Sequence, residues 1–302
     1  MGYAGDLKLM LKGTFTTIAP TFSTKAGSLT LAARGLNIMH RLRTKQYSYT
    51  WTHKTPTQIA SAINALTDPK TKEKRFPLPI EVVKGVKETE IPSLSQTNQT
   101  DFDFLLQLAR KYGLAFFLKE EEPEKDGKPK QERRVYVGPS EAAPPQVRLD
   151  WGVSLLEFKP VFTTANQFSA VEVVGWDRTR RKVVTGRAER TELKLNRDLL
   201  DRLKTCDARE LRIVDKAVFT AGEARDRARA GIEERSKKMV TASGSCIGWP
   251  DVRAGRTVFI GGVGSRFSGE YFITDSTHTI DDSGYITKFN ARREVTGKQV
   301  QK

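Results

Sequence analysis

The chain has 302 residues, of which 38% are hydrophobic and 29% are charged, and its formal net charge is +15. This composition is that of a folded chain of about two domains rather than of a disordered protein. No run approaches the roughly 18 apolar residues of a membrane span, and the start, MGYAGDLKLMLKGTF, lacks a signal-peptide pattern. We therefore expect no membrane insertion by this chain alone and folding in a cytoplasm. The positive charge favours an anionic partner, either nucleic acid or an acidic protein surface.

The first fifty residues read as strands of an antiparallel β-domain. DLKLMLKGTF and GSLTLAARG alternate apolar and polar positions between glycines. TPTQIASAINALTDP then predicts a helix in which Thr55 is the N-cap, Pro56 lies in the first turn and Gln58 completes a capping box. The helical spacing predicts one buried face, formed by Ile59, Ala62, Ile63 and Leu66.

A second helix is predicted within QTNQTDFDFLLQLARKYGLAFFLKE. Thr100 is its N-cap, Asp101 and Asp103 lie in the first turn where the helix dipole favours negative charge, and Gly113 ends it. Its broad apolar face comprises Phe102, Leu105, Leu106, Ala109 and Tyr112. The strands LAFFLKE and RVYVG follow as a hairpin, joined by the charged and solvated loop EEPEKDGKPKQER.

The Pro-rich segment SEAAPPQV predicts a domain boundary near residue 150. Beyond it, AVEVVGWD and KVVTGRA form a hairpin across RTRR, and AGEARDRARAGIEERSKK is a charged helix with Glu233/Lys237 and Glu234/Lys238 pairs. RTVFIGG, GEYFITDSTHTI and GYITKFNARRE predict a β-meander whose last turn is DDSG.

The sequence contains no recognisable catalytic, cofactor or metal motif. His40, His53 and His278 lack metal-ligand spacing, and we expect no disulfide between Cys206 and Cys246. GGVGSRFSG departs from a dinucleotide-binding fingerprint at Phe267, so we interpret it as a tight β-turn. The carboxylate pair of a glycoside hydrolase is joined only in space, which leaves that alternative open, although the acidic run 120–122 lies in a predicted solvated loop. We therefore expect no enzyme, no cofactor and no metal.

One compact basic cluster stands out, at the tip of the predicted hairpin after Trp176. Its residues are Arg178, Arg180, Arg181 and Lys182. Such a cluster can bind phosphate, contact an acidic partner or remain a solvated loop. No RRM, helix-turn-helix or zinc-finger pattern accompanies it, so sequence-specific nucleic-acid binding is not expected. We assign these four residues as candidate partner-binding residues.

Four blocks of the sequence carry a family resemblance. In order they are TPTQIASAIN, SQTNQTDFDFLLQLARKYGLAFF, VEVVGWDRTRRKVVTGRA and GWPDVRAGRTVFIGGVGSRFSGEYFITDSTHTIDDSGYITKF. Together they resemble the late control protein D family, the baseplate hub proteins of contractile phage tails, which are related to the hub part of type VI secretion spike proteins and to hubs of phage-tail-like injection systems. The resemblance covers about residues 28 to 293.

The resemblance implies a β-rich α+β fold with two tube-like antiparallel β-barrel domains and an intervening α/β domain. In this chain they would be residues 1–51, 52–150 and 151–302, with the first barrel short of strands. It also implies a non-enzymatic homotrimer that presents a pseudo-sixfold ring to the tail tube. The expected partners are the central spike, the tube or a tube-initiator protein and other baseplate proteins. Because the sequence stops at GKQVQK with no needle-like extension, we expect the spike to be a separate protein.

The leading hypothesis is thus a baseplate hub that assembles in the cytoplasm and then sits in the baseplate of a phage tail or injection particle. Two alternatives of other classes stay open. A tail-associated peptidoglycan hydrolase would require a carboxylate pair facing a cleft. A basic nucleic-acid-binding protein would show salt-dependent binding to DNA. The sequence does not distinguish a phage from a bacteriocin or a toxin-delivery system.

Overall fold

A computed structural model of the chain describes residues 1–3, 5–22, 30–83, 88–119, 133–140, 145–193, 209–215 and 217–293. Three α-helices lie in this part of the chain, α1 (Pro56–Ala65), α2 (Asp101–Tyr112) and α3 (Ala221–Lys237). Short 3-10 helices span Ile38–Arg43 and Arg190–Glu192. The described strands are β1 (Gly2–Tyr3), β2 (Asp6–Leu7), β3 (Gly13–Thr21), β4 (Thr30–Asn37), β5 (Gln46–Lys54), β6 (Ile80–Val82), β7 (Ile91–Thr100), β8 (Ala115–Lys119), β9 (Arg134–Gly138), β10 (Val147–Asp150), β11 (Leu155–Phe162), β12 (Ala170–Asp177), β13 (Lys182–Glu189), β14 (Glu210–Val214), β15 (Val240–Ile247), β16 (Thr257–Gly261), β17 (Gly269–Asp281) and β18 (Gly284–Arg293).

This inventory confirms the expected β-rich α+β class. The largest sheet has six strands in the order β10-β16-β17-β18-β15-β11, and within it β10 pairs with β16 in parallel while the other neighbours are antiparallel. The predicted meander β16-β17-β18 and the hairpins β8-β9 and β12-β13 all form. Smaller sheets have the orders β13-β12-β14 and β6-β9-β8, and β3-β4 and β5-β7 are two-stranded.

Helix α1 begins as its sequence predicts. The Thr55 side chain accepts a hydrogen bond from the Gln58 amide, the Gln58 side chain accepts one from the Thr55 amide, and Pro56 occupies the first turn. Ile59 and Ile63 are fully buried, as expected. The other two predicted core positions are only half-buried, and Ala60 is buried instead, so the buried face is rotated slightly from the predicted one.

Helix α2 also has the predicted ends. The Thr100 side chain accepts from the Asp103 amide, and Gly113 closes the helix in the left-handed region at φ 70°. Phe104 and Leu108 are buried, whereas Leu106 and Tyr112 are half-buried, which moves the buried face toward Phe104 and Leu108. The shift brings the first turn of the helix into the interior.

Asp101 accordingly does more than complement the helix dipole. Its carboxylate is 2% exposed and pairs with the Arg75 guanidinium, which itself lies 3.8 Å from the centre of the Tyr47 ring. Gln96 donates a further hydrogen bond to the same carboxylate at 2.8 Å. A buried charge needs such partners, because leaving it unpaired would cost several kcal/mol.

The described residues form two hydrophobic cores. One surrounds α1 and α2 and draws its buried residues from Leu42 to Val137. The other lies between the six-stranded sheet, the β12-β13-β14 sheet and α3, and draws its residues from Val147 to Ala291. Strand β10, just before the predicted boundary near residue 150, belongs to the sheet of this second core.

The end of α2 docks onto α3 and links the two cores. The Tyr112 hydroxyl donates to the Glu223 carboxylate at 3.0 Å, and the Lys111 ammonium lies 3.8 Å from it. Burial, and then the charge of Glu223, raise the pKa of Tyr112 far above its usual value. Glycine suits this close approach, because Gly113 has the left-handed φ of 70° and a Cβ there would lie 3.1 Å from the Ala230 methyl group.

Two local predictions need correction, and two more fall outside the described residues. Within DLKLMLKGTF only Asp6–Leu7 and the residues from Gly13 onward are strand, because the hairpin with β4 starts at Gly13. The glycine-rich segment is not a tight turn but a longer loop over 262–268, with Gly262 and Gly264 at positive φ. The charged loop 120–132 and Cys206 lie outside the described residues.

The predicted ion pairs of α3 form only in part. Lys238 pairs with Glu234 at 2.6 Å as predicted. Lys237 instead donates to the Ser140 hydroxyl at 2.8 Å, and Glu233 pairs with Arg229. Glu233 therefore pairs with a cation one turn earlier in the helix, and only the Glu234–Lys238 pair forms as predicted.

Leu105 and Ile63, both 0% exposed, test the assignment of the buried faces. We expect Leu105→Ala and Ile63→Ala each to lower the free energy of unfolding by about 2–5 kcal/mol, because each leaves a cavity in the core around α1 and α2. Thermal and denaturant melts measure this. The exposed neighbours Arg110→Ala and Ser61→Ala are the controls and should change stability by less than about 0.5 kcal/mol. Equal melting of core and control variants would contradict the assigned faces.

Candidate partner-binding site

The basic cluster sits where the register of β12 and β13 places it. These strands pair from Ala170 opposite Glu189 to Asp177 opposite Lys182, so residues 178–181 form the projecting tip.

The inner face of the hairpin packs on α3, and a Cβ at Gly186 would lie only 2.2 Å from the Arg225 amide nitrogen. On the opposite face Trp176 and Val183 are 42% and 56% exposed. One face of the hairpin is thus packed on α3, while its tip is exposed to solvent.

The tip is shaped by one carboxylate. The Asp177 Oδ1 atom accepts hydrogen bonds from the Thr179 and Arg180 amides, both at 2.9 Å. This is the local hydrogen bonding by which Asp favours turns. Arg181 then takes a left-handed backbone conformation with φ 46°, which turns the chain into β13. All four residues of the basic cluster are exposed.

A groove with a volume of about 610 Å³ runs beside this tip. One wall comes from the hairpin and the other from the start of β7 and the start of α3. Arg178, Arg180 and Lys182 line it, whereas Arg181 does not. The remaining lining residues are Pro92, Ser93, Asp177, Thr179, Val184, Phe219, Thr220 and Ala221.

The cations of the groove are largely free of carboxylate partners. The Arg178 guanidinium stacks over the Phe219 ring, 5.0 Å from its centre. Arg180 reaches Asp177 only at 4.0 Å, and no described carboxylate lies within ion-pair distance of Arg178 or Lys182. Arginines lower on the same sheet are neutralised, as in the Arg187–Glu210 pair at 2.6 Å. The positive potential is therefore concentrated at the tip.

The start of α3 adds to this potential. Thr220 caps the helix by accepting from the Glu223 amide, and Thr220 and Ala221 both line the groove. The amino end of a helix carries a partial positive charge. The acidic residue of this turn, Glu223, is fully buried, does not line the groove and accepts hydrogen bonds from the Tyr112 hydroxyl and the Phe219 amide. The groove is suited to an anionic or acidic surface.

The other residue types considered for chemistry are dispersed. Among the described residues no three His, Cys, Asp or Glu side chains come together as a metal site. His53 contacts Glu90 at 2.7 Å, and His278 lies beside Tyr285 and Thr287, where burial lowers its pKa. Burial raises the pKa of Cys246 to about 12. No helix in the described part of the chain is both long and apolar enough to cross a membrane.

Sequence reasoning found the cations of the groove but not its opposite wall. Pro92 and Ser93 come from β7, far away in the sequence, and Phe219 precedes the cap of α3. Their contribution depends on the docking of the two cores against each other. The only local signal was an aromatic residue next to an N-cap threonine, which is too common to indicate a groove.

Comparison with solved structures defines the fold. The chain is similar to a tail protein from Neisseria meningitidis, with 14% identity, 94% of this chain and 80% of that chain covered, and a TM-score of 0.65. It is likewise similar to the 43 kDa tail protein of prophage MuSo2 from Shewanella oneidensis, with 16% identity, the same coverage and a TM-score of 0.64. It is also similar to the E. coli c3393 protein, a type VI secretion component with structural similarity to the T4 tail proteins gp27 and gp5. There the identity is 10%, the match covers 92% of this chain and 59% of that chain, and the TM-score is 0.57.

These likenesses confirm the expected resemblance at the level of the fold, which is that of phage tail and baseplate hub-like proteins. A family model described as the Alg8 N-terminal domain matches residues 1–282. The chain belongs to the Alg8 N-terminal domain family. A comparison with curated proteins finds no match.

The role of Asp177 in shaping the tip is testable without a partner. We expect Asp177→Ala to speed amide hydrogen exchange at residues 178–182 at least several-fold, because the Thr179 and Arg180 amides lose their acceptor. The melting temperature should change little, since the tip is solvated. Thr185→Ala, an exposed change lower on β13, is the matched control. Unaltered exchange at the tip would show that the carboxylate does not hold it.

Proposed function

We propose that this chain is a structural hub of a contractile tail or injection machine, which joins the tail tube to a central spike as a ring-forming homotrimer. The observation that carries the proposal is the likeness to phage tail proteins, which extends over 94% of the chain at TM-scores of 0.64 and 0.65. A likeness over most of the chain favours a shared architecture over a single shared motif. On this proposal the chain is a late control protein D type of hub and its final location is the baseplate.

We further propose the three-part division into residues 1–51, 52–150 and 151–302, with tube-like β-barrels in the first and last parts. Two separate hydrophobic cores support a distinct middle and last part, with limits a few residues earlier than this division, because residues from Leu42 lie in the middle core and residues from Val147 in the last one. The six-stranded sheet is large enough to be the curved wall of a tube-like domain. The docking of α2 on α3 would then fix the middle part against the last one, as a spacer that performs no chemistry.

The proposed role is structural and non-enzymatic, and it assigns the basic groove to assembly. A ring of such chains repeats each cation around one axis and so creates a positive rim or lumen. Such a rim fits an acidic face of the spike, of the tube or of another baseplate protein. The side chains that serve this contact are Arg178, Arg180, Arg181 and Lys182.

The oligomeric state provides the first test. Mass photometry of the purified chain, alone and with a candidate spike protein, should show a trimer in at least one of the two samples. A closed ring follows when each protomer uses one patch against a different patch of its neighbour. A strict monomer in both samples would remove the ring from the proposal.

The basic cluster provides the second test. Changing Arg178, Arg180 and Arg181 together to Glu should slow docking to the spike or tube protein about ten-fold or more at low salt, because exposed rim charges act mainly on the association rate. The effect should shrink as salt rises. Lys74→Glu, Arg266→Glu and Lys288→Glu form a matched control, because they reverse three exposed cations away from the tip that pair with no described carboxylate.

The same variants separate the hub from a nucleic-acid-binding protein. Gel shifts on unrelated DNA sequences should show at most weak, salt-sensitive binding with no preference for sequence. Normal particle assembly by the triple variant, together with tight and sequence-selective DNA binding by the unmodified chain, would overturn the proposed role of the cluster.

A further inference from the structure

Helix α3 covers only part of the inner face of the β12-β13 hairpin. Val184 and Gly186 are alternate residues of β13 and therefore share this face. At Gly186 the helix is so close that a Cβ would lie 2.7 Å from the Ala224 methyl group. The helix begins at Ala221, and the basic groove of about 610 Å³ lies at that end, lined by both Ala221 and Val184. The groove is thus the part of this face that the helix leaves uncovered.

The groove combines two kinds of lining, charged and apolar. It contains the cations Arg178, Arg180 and Lys182 and the apolar side chains of Pro92, Val184, Phe219 and Ala221. Concave sites of about 300–1,000 Å³ with apolar walls and a few charged groups enclose small ligands. A flat acidic surface would meet only the cations at the exposed tip, whereas a narrow ligand would also reach the apolar lining.

The size of the groove favours an extended peptide segment over a helix. Two turns of an α-helix with their side chains fill roughly 850–1,200 Å³, which is more than the groove holds. An extended segment is thinner, and its side chains alternate between two faces, so carboxylates at every second position can meet the cations while the others meet the apolar lining. β13 is also the outermost strand of its sheet among the described strands, so its outer edge is open to such a segment.

A single-stranded nucleic acid fits the groove less well. Such a strand is bound along a basic track several nucleotides long, with aromatic rings open to its bases. In this groove the Arg178 guanidinium already lies over the Phe219 ring, 5.0 Å from its centre. Further along β13 the charge of Arg187 is neutralised by Glu210 at 2.6 Å. The remaining positive charge suits a few carboxylates rather than a nucleic-acid backbone.

We infer that the basic groove binds an extended acidic segment of a partner protein, in which carboxylates alternate with apolar side chains. The carboxylates pair with the three cations, and the apolar side chains pack against Val184 and Phe219. Opposite charge attracts the segment, and the apolar lining selects it over other acidic chains. The inference rests on the proposed partner-binding role of the groove and narrows its partner from an acidic surface to a linear segment.

Binding of a synthetic peptide to the unmodified full chain tests the inference. The probe is the fluorescein-labelled, end-capped peptide GDVDFDVDG, measured by fluorescence anisotropy at low salt. We expect one probe per chain, bound at least about ten-fold more tightly than GNVNFNVNG, which lacks the charges, and GDSDSDSDG, which lacks the apolar side chains. Binding should weaken as salt rises. Equal binding of the probe and GDSDSDSDG would reduce the groove to a simple acidic contact and overturn the inference.

A groove-filling variant shows where the probe binds. Ser93 is exposed and lines the groove, so Ser93→Trp fills it without a change of charge and should weaken probe binding by about ten-fold or more. Ser95→Trp is the matched control, at an exposed position on the same strand that does not line the groove, and should change the affinity by less than about two-fold. Equal affinities of these two variants would place the probe elsewhere and refute the site.

Charge reversal provides an independent check. Arg180→Glu with Lys182→Glu should weaken probe binding by about ten-fold or more at low salt, because two of the three cations are then repulsive. Lys74→Glu with Lys288→Glu makes the same charge change at exposed positions outside the groove and is the control. Equal weakening by both pairs would reveal an effect of net charge alone and would contradict the assigned contacts.

Two further measurements decide between the alternatives. Bound probe should slow amide hydrogen exchange within residues 182–185 at least several-fold, because the segment lies along β13. Tighter binding of an oligothymidylate that displaces the probe would identify a nucleic-acid groove and overturn the inference. If no probe binds although the change of Arg178, Arg180 and Arg181 to Glu slows docking, the linear segment is refuted and the proposed role of the cluster in the hub stands.

Discussion

The buried carboxylate of Glu223 is the constraint on which the arrangement of the described parts depends. It lies in the first turn of α3 and is satisfied by the Tyr112 hydroxyl, the Phe219 amide and the nearby Lys111 ammonium. Two of these partners belong to α2 and one to the segment that lines the basic groove. A carboxylate without partners in such a place would cost several kcal/mol, so the helices cannot separate without exposing it to water or leaving it unpaired. The groove, the hairpin behind it and the two cores therefore hold one relative position.

The sequence predicted the elements that are encoded locally. Helix ends at Thr55, Thr100 and Gly113 were predicted correctly because capping depends on residues within one turn. The meander and the hairpin tips followed from alternation and turn residues. The burial of Asp101 in the first turn of α2 was missed because its partner, Arg75, approaches from a distant segment. The opposite wall of the groove was missed for the same reason, since only tertiary packing brings Pro92 beside Arg178.

Two kinds of surface are separated in the fold. Unpaired cations are concentrated at the β12-β13 tip, where the field acts at long range and controls the encounter with a partner. Several exposed apolar groups lie elsewhere, on the β3-β4 hairpin and at the start of β11, where only close packing is effective. Long-range attraction and close packing are therefore controlled largely by different residues.

The parallel pairing of β10 with β16 has a mechanical consequence. β10 is the point at which the chain leaves the first core and enters the six-stranded sheet. A pull on the first core along the axis of β10 loads the hydrogen bonds between β10 and β16 in shear, so they resist together instead of opening one after another. The entry strand therefore resists a pulling force better than a strand whose hydrogen bonds break one at a time.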